Sequence, residues 1–71
     1  MKAISAVIVQ YRDTENRWFG NVYAGAEFGA GKAAPIVIVD HQPSAIACLQ
    51  SVELYARQAG KHLVTAKILY R

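Results

Sequence analysis

"HQPSAIACLQSVELYARQAG", residues 41 to 60, decides the fold, because it breaks a chain that otherwise reads as strands. Pro43 and Ser44 are start signals for a helix: proline is tolerated in the first turn, and a serine oxygen can cap it. Gly60 is the matching stop, since glycine takes the left-handed turn that ends many helices. At about 100° per residue, Ala45, Cys48, Leu49, Val52, Tyr55, Ala56 and Ala59 fall on one side. Opposite them lie Ala47, Gln50, Ser51, Arg57 and Gln58, with Leu54 in their midst. Burial of the large apolar members, roughly 1.5–3 kcal/mol each, should dock this helix on a sheet.

The sheet comes from both flanks. Upstream, "IVIVD" (36 to 40) is a short apolar strand, and downstream "HLVTAKILYR" (62 to 71) alternates as another. In the latter, Val64, Ala66, Ile68 and Tyr70 are expected inward, with Thr65, Lys67 and Leu69 outward. Further upstream, "AISAVIVQYR" (3 to 12) and "WFGNVYAG" (18 to 25) read as a β-hairpin around the turn residues of "DTENR". The order is therefore β-β-β-α-β. It predicts a two-layer α+β domain over 1 to 71, one helix packed on one face of a mainly antiparallel sheet. If the third and fourth strands run parallel in that sheet, their crossover should be right-handed.

A hairpin register follows if residues 13 to 16 form the loop. Tyr11 then faces Trp18, Val9 faces Gly20, Val7 faces Val22 and Ser5 faces Ala24, and this apolar side should meet the helix. The other side would carry Gln10 with Phe19, Ile8 with Asn21, and Ala6 with Tyr23. Aromatic and polar residues alternate there in a way unusual for a solvated face.

Size and composition bound the function. In 71 residues there is room for one small core, burying only about 60% of the unfolded surface. Cys48 is the single cysteine, so neither a disulfide framework nor a paired-cysteine zinc site is available, and a reducing cytoplasm is expected. The apolar fraction of 54% is high for such a chain. Either both sheet faces are covered, or apolar surface awaits a partner; a homodimer or another protein partner is the expectation. The net charge of +3 and pI near 9.3 come from scattered basic residues with interleaved acids. Such a balance permits nucleic-acid contact without signalling it. No apolar run reaches the roughly 20 residues that cross a bilayer, and "AISAVIV" leads into "QYRDTENR" without a small-residue cleavage site. A soluble, cytoplasmic protein with no membrane association is expected.

Three fragments resemble chemistry. "GAEFGAGKAAP" (25 to 35) looks like a phosphate loop, but five residues separate Gly25 from Gly31, where that motif needs four. Ala33 replaces its hydroxyl, and Pro35 with the β-branched run after it precludes a helix N-terminus for the phosphate. We expect a mobile loop that binds no nucleotide. His41, Asp40 and Cys48 are the parts of a nucleophilic site, yet Cys48 lies on the core side of the helix. His41, His62 and Asp40 are a weak metal set on two separate loop ends, and Asp13 and Glu15 share a hairpin tip open to water. No cofactor and no catalytic residue is assigned.

The outer sheet face is the better lead. Ile8, Gln10, Phe19, Asn21, Tyr23 and Lys67 form the candidate binding patch, with Leu69 beside it. Aromatics among amides and a lysine suit a protein interface, or else a stacking platform for single-stranded nucleic acid. The leading expectation is a small non-enzymatic protein-binding module, an inhibitor or regulator that occupies a partner's surface. A regulator carried by a phage or other mobile element fits that description. The alternative is a nucleic-acid-binding domain using the same face and the scattered basic residues. In element order alone the chain resembles small antitoxins of degraded ribonuclease-H-like shape and some short phage-encoded inhibitors. It lacks the acidic hairpin and the Pro-Leu-Pro-Gly-Cys-like segment of those antitoxins, so no residue is carried over.

Overall fold

In the computed structural model, which describes residues 2–14, 16–26 and 34–70, the β-branched N-terminal run forms β1 (Lys2–Gln10). It is followed by β2 (Trp18–Ala24), β3 (Val37–Gln42), α1 (Ala45–Gln58) and β4 (Lys61–Leu69). The strands make one four-stranded sheet in the order β3-β2-β1-β4. β1 pairs antiparallel with β2 and β2 with β3, while β4 lies parallel to β1. The expected β-β-β-α-β order and mainly antiparallel sheet are therefore what the chain adopts. The glycine-rich stretch from 27 to 33, in which a mobile loop was expected, lies outside the described residues, as does Glu15 at the hairpin tip.

Local chemistry sets the helix ends. Ser44 is the N-cap, its hydroxyl oxygen accepting from the backbone N–H of Ala47 at 3.1 Å. At the other end Ala59 is the C-cap and Gly60 takes φ +67, the left-handed conformation that only glycine enters cheaply. Cys48, Val52 and Ala56 are buried, each four residues from the next, as an apolar stripe requires. They meet two linked clusters: Ile4, Ala6 and Val22 around Val52 and Ala56, and Ile8 and Trp18 around Cys48. Gly20 lets the helix approach closely. A Cβ there would stand 3.0 Å from Cys48 Sγ and 3.3 Å from Val52 Cγ2.

The hairpin register corrects one expectation. Gln10 pairs with Trp18, Ile8 with Gly20, Ala6 with Val22 and Ile4 with Ala24. The connection is thus an odd-numbered stretch from 11 to 17, closed by the Tyr11 N–H donating to the Arg17 carbonyl at 2.9 Å. It is not the four-residue loop expected over 13 to 16. Side chains alternate along a strand, so this one-residue slip reverses every residue of β1. Ile4, Ala6 and Ile8 face the helix, and Ser5, Val7, Val9 and Tyr11 face away. β2 keeps its expected orientation, with Trp18, Gly20 and Val22 inward.

A second irregularity lies where β4 meets β1. The register shifts between Ile4 and Ser5, so that Leu63 opposes Ile4 while Thr65 opposes Ser5. Leu63 therefore packs on the core in place of Val64, which is 42% exposed. Beyond the shift the expected alternation holds, with Ala66 and Ile68 on the helix side and Thr65, Lys67 and Leu69 on the other. No helix among the described residues is long and apolar enough to cross a membrane.

Candidate functional site

The thinnest dimension of the molecule is 15 Å, enough for one sheet and one helix layer at the usual spacing of about 10 Å. Among the described residues the second face of the sheet is uncovered by any helix. The pairings place Ile38 of β3, Phe19, Asn21 and Tyr23 of β2, Ser5, Val7 and Val9 of β1, and Thr65, Lys67 and Leu69 of β4 on that face. Val9 is only 4% exposed there, walled by its neighbours Phe19 and Leu69. Ile38, by contrast, is 57% exposed. The face is mostly aliphatic and aromatic, with Lys67 the one basic side chain among these ten.

Four of the six residues expected in the patch, Phe19, Asn21, Tyr23 and Lys67, do share this face. Two do not. Ile8 is fully buried against Trp18 and Cys48 beneath the helix, and Gln10 pairs with Trp18 on the same helix side. Both were misplaced by the assumed even loop. Their places are taken by Val7, Val9 and Tyr11, and Ile38 is added by β3. The signal for Ile38 was present: "IVIVD" is apolar on both faces, as is a strand whose two sides are both in use.

At one end of this face a polar cluster joins the hairpin to β3. The Tyr11 hydroxyl donates to Asp40, lying 2.8 Å from Oδ1 and 3.0 Å from Oδ2. The backbone N–H of His41 donates to Asp40 Oδ1 at 2.7 Å. That contact goes with a strained backbone, His41 having φ +57 at the register shift between β2 and β3. Arg17 stacks its guanidinium 4.2 Å over the Tyr11 ring and brings Nη2 to 3.4 Å from His41 Nδ1. Its Nε is buried and meets no hydrogen-bond partner among the described residues. Phe19 meets Tyr11 edge-on at 5.1 Å, and beside them is a shallow hollow of about 320 Å³ lined by Gln10, Tyr11, Arg12, Asp13 and Phe19. On the helix side, Ser51 donates to Gln42 Oε1 and Gln42 to the Asp40 carbonyl, tying β3 to α1.

This cluster suits fixing the chain and recognising a ligand better than moving protons. The His41 N–H first, then the Tyr11 hydroxyl, holds the Asp40 carboxyl below the ordinary carboxylate range. A carboxylate so stabilised is a poor base near neutrality. The same bond to Asp40, aided by burial, raises the Tyr11 phenol. Cys48 is fully buried, and desolvation pushes its thiol to about 11, the reverse of what a nucleophile needs. The set of His41, Asp40 and His62 does not converge. β3 and β4 are opposite edges of the sheet, about 14 Å apart at roughly 4.8 Å per strand, whereas metal ligands sit about 2 Å from their ion.

No protein-family model, curated protein or solved structure matches the chain.

Proposed function

We propose that this protein is a small, non-enzymatic binding module that engages a protein partner through the outer sheet face, and acts as an inhibitor or regulator by occupying that partner's surface. One observation carries this: Phe19, Tyr23, Val7, Ile38 and Leu69 lie together on a face that no helix of the described chain covers. Sheet faces open to water ordinarily alternate apolar-in with polar-out. Here the second face is largely apolar too, with Ile38 and Leu69 exposed and Phe19 and Tyr23 half-buried beside them, and an apolar surface with aromatic anchors is what partner sites present. Asn21, Thr65 and Lys67 offer the polar contacts that fix orientation.

Nucleic acid is the competing ligand, favoured by Phe19, Tyr23 and Tyr11 as stacking platforms. It is the weaker reading because phosphate contacts need several cations on one face, and this face offers Lys67 with Arg17 at its polar end, the latter already engaged with Tyr11 and His41. The test compares capture of cellular ligands by the wild type, by Tyr23→Lys/Ile38→Lys, and by a helix-face control, Gln50→Lys/Leu54→Lys. We expect the same protein to be captured by wild type and control, lost by the outer-face variant, and retained after nuclease and in high salt. Capture that disappears with nuclease and falls steeply with salt would replace this reading with the nucleic-acid one. Equal capture by the outer-face variant would remove the face from the argument.

A further inference from the structure

Among the described residues no strand pairs with the outer edge of β3 or of β4, and the two edges differ in how they are protected. β3 has six residues, follows Pro35 closely and is kinked by the register shift beside Asp40 and His41. These features discourage further strand pairing. β4 has nine residues, and its irregularity is confined to the Leu63–Thr65 end. From Thr65 to Tyr70 the chain is free of proline and glycine and carries one charge, Lys67. Ile68, Leu69 and Tyr70 are 41%, 37% and 73% exposed. A regular, apolar edge of this kind is a template for another strand.

We infer that β4 pairs antiparallel with β4 of a second copy, about a two-fold axis through Ile68, joining two sheets into one of eight strands. Residues opposed across an antiparallel pair lie on the same face, so the axis must pass through a residue. An axis at Lys67 would set its ammonium directly against its own copy, which is destabilising. An axis at Ala66 would bring Ile68 against Val64, inside the irregular end. An axis at Ile68 stacks that side chain on its copy. It also sets Lys67 across from Leu69 and small Ala66 across from large Tyr70. Lys67 thereby disfavours an axis on itself, and the irregular end one at Ala66. The axis stands perpendicular to the sheet, so both helices lie on one side and the two outer faces become continuous. The inference concerns the edge and stands whatever occupies the face.

A six-residue edge buries well under the roughly 1,200–2,000 Å² of a standard interface, so the dimer should be weak, with a dissociation constant on the order of micromolar or above. Sedimentation equilibrium over a wide range of loading concentrations reads it directly. Wild type should dimerise reversibly, and Ile68→Lys should stay monomeric with an unchanged circular-dichroism spectrum. Leu69→Glu would face Lys67 of the other copy twice by symmetry, and should tighten the dimer roughly two- to thirtyfold at low salt. Leu69→Lys should weaken it instead. Tyr23→Lys, on the face but away from the edge, should leave the constant unchanged. A wild type that remains monomeric at every concentration overturns the inference, as does a dimer indifferent to Ile68→Lys. A dimer weakened by Leu69→Glu overturns the register.

Discussion

Asp40 and Tyr11 hold one hydrogen bond whose two ends titrate in opposite directions. Asp40 has its carboxyl lowered in the folded state, so its contribution is present above the ordinary carboxylate range near 3.8 and is lost as pH falls through the lowered value. Tyr11 has its phenol raised, so its contribution is complete below 10.0 and is lost as pH rises through the raised value. The bond thus narrows the stable range from both sides. Denaturant midpoints measured across acid and alkaline pH should show Tyr11→Phe losing part of the alkaline dependence, the buried Cys48 thiol supplying the rest, while keeping most of the acid one. The acid side survives because the His41 N–H, the largest influence on Asp40, remains. Asp40→Asn should lose the acid dependence that Asp40 supplies and weaken the alkaline one. His41 gives a second expectation at this scale. Its φ of +57 costs a non-glycine residue roughly 1–2 kcal/mol, and far more when the side chain is β-branched. His41→Gly should change stability by less than about 1 kcal/mol, whereas His41→Val should destabilise by more than that in the same urea titration.

Elements dock through a few close contacts, and α1 meets the sheet most tightly at Gly20. A methyl group there would press on Cys48 Sγ at 3.0 Å and Val52 Cγ2 at 3.3 Å. Gly20→Ala should therefore cost about 1–3 kcal/mol from overpacking. Removing the sulfur should relieve it, so Gly20→Ala/Cys48→Ala should be more stable than the sum of the single variants by at least about 0.5 kcal/mol. Additive costs in a four-member urea cycle would place the strain elsewhere. The helix was legible in the sequence because its signals are local: Ser44 and Gly60 act within one turn, and the Cys48, Val52, Ala56 stripe has a single period. β2 was legible too, since bulky Trp18 and Val22 alternate with Asn21, which placed Phe19 and Tyr23 on the outer face. β1 was not. It is a central strand whose residues 3 to 9 are apolar on both faces except Ser5, so alternation names no inside, and the parity of a loop sets it. Ile8 and Gln10 were misplaced for that reason. The β4 irregularity was hidden in the same way, because Leu63 and Val64 are equally fit for burial.

Across the whole molecule, 71 residues at 0.05–0.15 kcal/mol each should give on the order of 4–10 kcal/mol of stability. Trp18 is 5% exposed within the cluster of Ile8 and Cys48, so Trp18→Ala, at about 3–5 kcal/mol, should remove a large share of that stability. Cys48 can report the same balance from inside. Its thiol is fully buried and pushed to about 11, so a neutral-pH thiol reagent must wait for the helix to leave the sheet. Every face of that burial is long-range: Ile8 and Gly20 come from two strands and Trp18 closes the end. Separation of α1 should therefore coincide with global unfolding, as two-state behaviour of a small domain implies. The labelling rate of Cys48, relative to the unfolded chain, should then give the same free energy as urea denaturation. Labelling faster than this, by tenfold or more, would mean that α1 detaches while the sheet persists, with a local opening at least about 1.4 kcal/mol cheaper than unfolding. In that event the helix-side core, and not the outer face, would be the surface the chain can expose to a partner.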